Sequence, residues 1–217
     1  MTLALYGHPF SSYTWKAQIA LLAAGLEFDF RIVDQDHPEH VALIQAAGPQ
    51  GKFPVLRDDE TLLFEATSII EYIALHYAEP DVLVPSDPDA AIGTRMLDRV
   101  FDNYLMGPMQ DIVSEYLRDA QNPDSARVDE ARARLERTYA WLEGWLQFYP
   151  SAGQVTLIEC AAAPALFYAD WVHPIPDLLP RLQAWRAHLL ALPPVAHCVE
   201  AARPYRAGFP LGAPDRD

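Results

Sequence analysis

Small and apolar residues alternate over residues 2–7, the pattern of a half-buried strand. Gly7-His8-Pro9 breaks it, and Ser11 or Ser12 can cap a following helix. In that helix Trp15, Ile19, Leu22 and Leu26 are spaced for one buried face, and Gly25 supplies a stop. Residues 27–33 alternate again and predict a second strand. A short helix follows over about 38–46, then a loop from Ala47 to Gly51. Two short strands, about 54–57 and 61–64, form a hairpin around Asp58-Asp59-Glu60. Pro54 cannot donate to a strand ladder, so it marks an edge, a bulge or a cis bond that aims the preceding backbone. A helix from Glu65 to about Tyr77 closes the unit, with its first carboxylate on the positive end of the helix dipole.

Pro80, Pro85 and Pro88 then punctuate a linker, and everything beyond reads helical. A long helix covers about 89–120, interrupted or kinked near Gly107-Pro108. Another covers about 124–148, capped by Asp124 or Ser125, with Tyr139, Leu142, Trp145 and Leu146 as its inner stripe. Thr156-Leu157-Ile158-Glu159 is a capping box. Its helix is small and apolar nearly all round, hence central, and Pro164 should kink it. Two outer helices fall near 178–191 and 194–202, and the chain after Arg203 reads as coil. The expected division is 1–80, a linker at 81–88, a helical domain at 89–205, and a tail at 206–217. No internal repeat or low-complexity segment interrupts this plan.

Composition narrows the function classes. With 217 residues and 51% of them hydrophobic, the chain can bury a sizeable core as one large or two small domains. The net charge of −14 divides evenly between residues 1–80 and the remainder, so there is no basic half to track nucleic-acid phosphates. No apolar run reaches membrane-spanning length, and the N-terminus has no signal-peptide pattern. Cys160 and Cys198 make no disulfide framework, which points to a reducing cytoplasm. His37-Pro38-Glu39-His40 lacks a third metal ligand and reads as surface, and no Cys-x-x-Cys pair is present for thiol-disulfide exchange.

The order β-α-β-α-β-β-α is that of a thioredoxin-like domain, with a right-handed crossover joining the first strand pair. Together with Gly51-Lys52-Phe53-Pro54 and the helix opening at Glu65-Ala66, it resembles the glutathione transferase family. The box from Thr156 to Pro164 independently resembles the start of that family's buried C-terminal helix, with Glu159 where an Asp is usual. The resemblance runs over about residues 2–205. It implies an α/β thioredoxin-like N-terminal domain with a mixed four-stranded sheet, followed by an all-α C-terminal domain. It further implies a homodimer in which the two domain types of opposite subunits meet.

The resemblance also assigns roles. Phe53 would pair its backbone with the cysteinyl part of glutathione ahead of Pro54. Glu65 would take the α-amino group, and Lys52 and His40 are candidates for the glycine carboxylate. Ala66 stands where relatives carry a Ser that holds the γ-glutamyl carboxylate. Its backbone N–H at a helix N-terminus, or Thr67, would have to serve instead.

The chemistry required is ionisation of a thiol, whose pKa is about 8.5 when free. Gly7-His8-Pro9-Phe10-Ser11-Ser12 resembles the serine-type phi and zeta branches, making Ser11 the candidate donor to the thiolate, although capping alone also explains it. Ser12 and Tyr6 are the alternatives. Tyr13, Tyr104, Met106, Met109, Ile112, Val113 and Tyr116 are candidates to line a pocket for an apolar electrophile, or else core. Two other functions fit the same fold. One is a glutathione-dependent isomerase of the zeta type, a branch with a cysteine in place of Tyr13. The other is a non-catalytic binding protein, which Ala66 makes credible.

Overall fold

The computed structural model describes residues 3–149 and 154–217. Its first unit consists of β1 (Leu3–Gly7), α1 (Ser12–Ala23), β2 (Phe28–Ile32), α2 (Pro38–Ala47), β3 (Val55–Asp58), β4 (Thr61–Phe64) and α3 (Ala66–His76). The strands make one mixed sheet in the order β2-β1-β3-β4, with β1 parallel to β2 and the other pairs antiparallel. The period-2 pattern of β1 decides which residue serves which layer. Leu3 and Leu5 join the main core with Trp15, Ile19, Ile69, Ile70 and Ile73. Ala4 and Tyr6 face a smaller cluster with Val33, Ile44 and Val55 under α2. Gly7 is required at the end of β1, because a Cβ there would stand 2.5 Å from the Thr14 side chain.

The helical unit contains α4 (Pro88–Val100), a π-helical stretch (Phe101–Met106), α5 (Gly107–Arg118), α6 (Ser125–Trp145), α7 (Leu157–Val172), α8 (Pro180–Ala191) and α9 (Pro193–Ala202). The expected break near Gly107-Pro108 is this π stretch. Pro108 has no N–H to offer the carbonyl four residues earlier, that of Tyr104. The Thr138 hydroxyl on α6 lies 3.1 Å from that carbonyl and 3.0 Å from the Arg134 carbonyl of its own helix, so its one proton is shared between the two. The capping box forms as expected at the N-terminus of α7: the Thr156 hydroxyl accepts from the first turn, and the Glu159 carboxylate accepts the Thr156 N–H at 2.9 Å. Every residue of α7 is buried, and the helix runs on through Pro164. The connecting segment is docked too: Leu83 is buried and its carbonyl accepts the Leu157 N–H at 2.8 Å.

Two expectations need correction. The first helix does not bury a single stripe. From Ser12 to Leu21 only Tyr13 escapes burial, whereas Leu22 and Leu26 are partly exposed. The reason is that α1 lies between the sheet unit and the helical unit, so solvent reaches neither side of its first turns. Nor is the chain after Arg203 plain coil. Residues Arg203–Gly208 form a 3-10 turn. Ion pairs fasten the C-terminal residues beyond that turn, from Arg203 and Arg206 to Asp217 and from Arg216 to Asp170 at 2.9 Å. Among the described residues no helix is long and apolar enough to cross a membrane.

Candidate functional site

A cleft of about 480 Å³ opens where the loop before β3, the start of α3 and the π stretch converge. Its floor includes Lys52, Phe53 and Pro54, and the Phe53-Pro54 peptide is cis. Its far wall is Glu65, Ala66, Thr67 and Ser68 at the N-terminus of α3, where free backbone N–H groups and the helix dipole favour an anion. Glu65 holds a left-handed backbone, φ 69°, uncommon for a side chain of its size. Such a residue costs about 1–3 kcal/mol and tends to persist where surroundings enforce it at a functional site. Tyr13 enters from α1, and Arg99, Asp102, Asn103 and Gln110 from the helical unit.

A second, apolar cavity of about 230 Å³ adjoins it, lined by Phe10, Ser11, Ser12, Met109, Val113, Tyr168 and Phe209 among others. Gln110 lines both spaces. The N-terminus of α1 therefore separates them, with Tyr13 on the cleft side and Ser11 on the apolar side. Ser11 is the N-cap of α1 and accepts the Thr14 N–H at 3.3 Å. That contact uses its oxygen as acceptor and leaves its proton free to donate. Burial, then the charges of Asp102, Glu65 and Asp98, push the Tyr13 phenol up to about 12, so it stays a neutral O–H donor at ordinary pH.

Comparison with known proteins decides the family. A model described as the glutathione S-transferase N-terminal domain matches residues 5–81, and one for the C-terminal domain matches residues 125–188. The chain belongs to the glutathione S-transferase family. Glutathione S-transferase PARB of Nicotiana tabacum is 28% identical over 204 residues, 89% of this chain and 95% of that one. A stringent starvation protein A homolog of Coxiella burnetii is 33% identical over 165 residues, 76% of this chain and 75% of that one. Among solved structures, a Methylobacterium radiotolerans glutathione S-transferase in complex with glutathione sulfonate superposes with TM-score 0.76 at 23% identity, covering 92% of this chain and 95% of that one.

Within this transferase fold the sequence candidates separate clearly. Lys52, Phe53, Pro54, Glu65, Ala66 and Tyr13 share the cleft. Ser11, Ser12, Met109 and Val113 share the apolar cavity. The remaining candidates lie elsewhere. Tyr6 packs in the small cluster under α2 and meets the His40 ring edge-on at 5.3 Å. His40 is tied by Nδ1 to the Ile32 carbonyl at 2.6 Å and stacks on His37, away from both cavities. Met106 and Ile112 are wholly buried core, and Tyr116 packs against that core. Tyr104 faces outward and lines a surface groove with Trp141. Periodicity could not sort these, because a stripe on a buried helix looks the same whether it faces core or cavity.

The sequence pattern gave no hint of Lys16 and its acidic partners. Lys16 Nζ reaches Asp98 Oδ1 at 2.5 Å, Asp102 Oδ2 at 2.7 Å and the Thr67 hydroxyl at 2.9 Å, with its side chain fully buried. The contact to Asp98 Oδ1 is a close ion pair without hydrogen-bond alignment. Thr67 also donates to Asp98 Oδ2 at 2.9 Å, and Arg99 pairs with the same carboxylate. Desolvation pushes the Asp102 carboxyl up, opposed by Lys16. The signal that could have found them is that Lys16 is the only charged residue in α1. A lysine there has no route to water and must carry its own counter-charges.

Proposed function

We propose that this transferase-family protein binds glutathione in the 480 Å³ cleft and adds its thiolate to a small apolar electrophile held in the 230 Å³ cavity. The observation that carries this reading is the convergence of Phe53, Glu65 and the N-terminus of α3 on one cleft that abuts an apolar cavity across α1. The Phe53 main chain would pair with the cysteinyl residue. Glu65, with Asp102 beside it, would take the α-amino group. The γ-glutamyl carboxylate would rest on the Ala66 and Thr67 amides, since the Thr67 hydroxyl is already committed to Lys16 and Asp98. Lys52 is the group for the glycine carboxylate.

Two hydroxyls support ionisation of the thiol. Ser11 offers its free proton beside the first turn of α1, where the helix dipole also favours a sulfur anion. Tyr13 offers a neutral phenol from the cleft side. Their division of labour is tested by titrating the protein with glutathione and following thiolate absorbance in Ser11→Ala and Tyr13→Phe. Loss of thiolate in Ser11→Ala alone assigns the role to Ser11. Loss in Tyr13→Phe alone moves it to the cleft. No binding at millimolar glutathione would overturn the whole reading.

The acting form would be a cytoplasmic homodimer. Leu62 and Phe64 on β4 are exposed, as are Met96, Tyr104 and Trp141 around a groove of about 1090 Å³ between α4 and α6. A second copy placing its β4 side chains in that groove would cover both apolar surfaces. One second reading has support of its own, a non-catalytic interaction protein. Ala66 removes a hydroxyl from the peptide site, and the relative at 33% identity is named for stringent starvation rather than for glutathione.

A further inference from the structure

Asp102 reaches the cleft from the π stretch, and only 18% of its side chain meets solvent. Lys16 Nζ, fully buried, touches both of its carboxylate oxygens, at 2.8 Å and 2.7 Å. The same ammonium pairs with Asp98, which Arg99 and the Thr67 hydroxyl also hold. Of the other groups near Asp102, Tyr13 on α1 is a neutral phenol and burial keeps the Cys160 thiol of α7 neutral. Arg134 on α6 is engaged with Asp111 at 2.9 Å. Apart from Lys52, which the glycine carboxylate would take, this end of the cleft therefore sets Lys16 and Arg99 against Asp98, Asp102 and Glu65. Two cations and three carboxylates leave one negative charge, the complement of one ammonium.

We propose that Lys16 is a positioning residue for the peptide site: it keeps the Asp102 carboxylate charged and fixed at the cleft wall, where Asp102 together with Glu65 receives the α-ammonium of the glutamyl end. The inference rests on the glutathione reading above and deepens it. Lys16 itself touches no ligand, being shut off from the cleft by the carboxylates it serves. Burial pushes the Asp102 carboxyl up and Lys16 opposes it. Without that ammonium, Asp102 would be a desolvated acid beside the Asp98 charge, and both effects favour its neutral form. A neutral acid offers an ammonium a dipole in place of a charge, and an ammonium paired with a charged carboxylate is the stronger contact. The lysine also fixes geometry, because bonding to both oxygens leaves the carboxylate no freedom to turn away from the cleft. The preference for an ammonium is thus present while Asp102 is ionised and lost as pH falls through its titration. Removing Lys16 moves that loss to higher pH.

The test compares two ligands by calorimetry on the full-length protein. One is S-methylglutathione, whose blocked sulfur removes thiol ionisation from the readout; the other is its glutaryl analogue, in which hydrogen replaces the α-amino group. The preference is the ratio of their Kd values at pH ~6 and pH ~8. Asp102→Asn should lower it about ten-fold at both. Lys16→Gln, which keeps a donor and loses the charge, should lower it about ten-fold at the lower pH and clearly less at the higher, where Asp102 ionises again. Lys16→Arg should keep the wild-type preference throughout. An undiminished preference in Asp102→Asn, or in Lys16→Gln at the lower pH, overturns the proposal. So does a loss in Lys16→Gln that is equal at both pH values, the mark of a merely structural lysine. Asp102→Asn leaves Lys16 its partner Asp98, so that variant decides the matter even where Lys16→Gln fails to fold. Wild type that binds neither ligand overturns the reading of the cleft as well, which tells the two failures apart.

Discussion

Lys16 Nζ lies 2.5 Å from Asp98 Oδ1, and water reaches neither side chain. One partner belongs to α1 of the sheet unit and the other to α4 of the helical unit, so the pair fastens the two units beside the cleft. Asp102, which lines that cleft, shares the same ammonium at 2.7 Å. A buried pair of this kind is weak evidence for net stability, but breaking it from one side is costly because a bare charge remains.

Lys16→Met is therefore expected to destabilise the protein by about 3–5 kcal/mol. For a chain of this length that lowers Tm by on the order of ten degrees. The double variant Lys16→Met/Asp98→Leu should recover part of the loss, having no orphaned carboxylate at Asp98. Thermal melts of the three proteins check this; a double variant no better than the single one would contradict it.

Ala66 is buried at the N-terminus of α3, inside the cleft. Ala66→Ser adds a hydroxyl where the peptide's carboxylate would lie. A hydrogen bond to a charged group is worth about 1.5–3 kcal/mol, so glutathione should bind about ten-fold tighter or better. Calorimetric Kd values decide it, and equal affinities would mean that the backbone amides already suffice.

Trp141→Glu places a charge on the exposed groove that α4 and α6 present. If a second copy covers this face, the substitution should convert a dimer to a monomer in size-exclusion with light scattering. Wild-type protein running as a monomer would remove the homodimer from the proposed acting form.

Glu115 receives Arg118 at 2.6 Å and Arg127 at 2.8 Å, and these bonds pull its carboxyl down to about 2. Folding lowers this pKa, so the unfolded chain binds the proton more readily. The contribution is complete above the ordinary glutamate range and is lost as pH falls toward about 2. In Glu115→Gln the drop in urea midpoint between neutral pH and pH ~3 should be smaller than in wild type. An equally steep drop would mean that other carboxylates govern acid unfolding.

The sequence alone determined whatever depends on near neighbours along the chain. Alternation placed the strands, Gly25 ended α1, and the reach of Thr156 and Glu159 across one turn specified the start of α7. The order of elements and the Phe53-Pro54 and Glu65-Ala66 pairs carried the family resemblance, and these four residues line one cleft. Tertiary structure decided which side of a helix meets solvent, cavity or the other unit. Ser11 and Tyr13 are two residues apart, and only the packing of α1 between the units sends them to different spaces. Met109 and Ile112 share one helical face, yet one lines the cavity and the other is core. Lys16 and Asp102 are separated by 86 positions in the chain and joined by a bond of less than 3 Å. No local pattern encodes that partnership, because its cause is the exclusion of water from a surface that exists only once the two units have met.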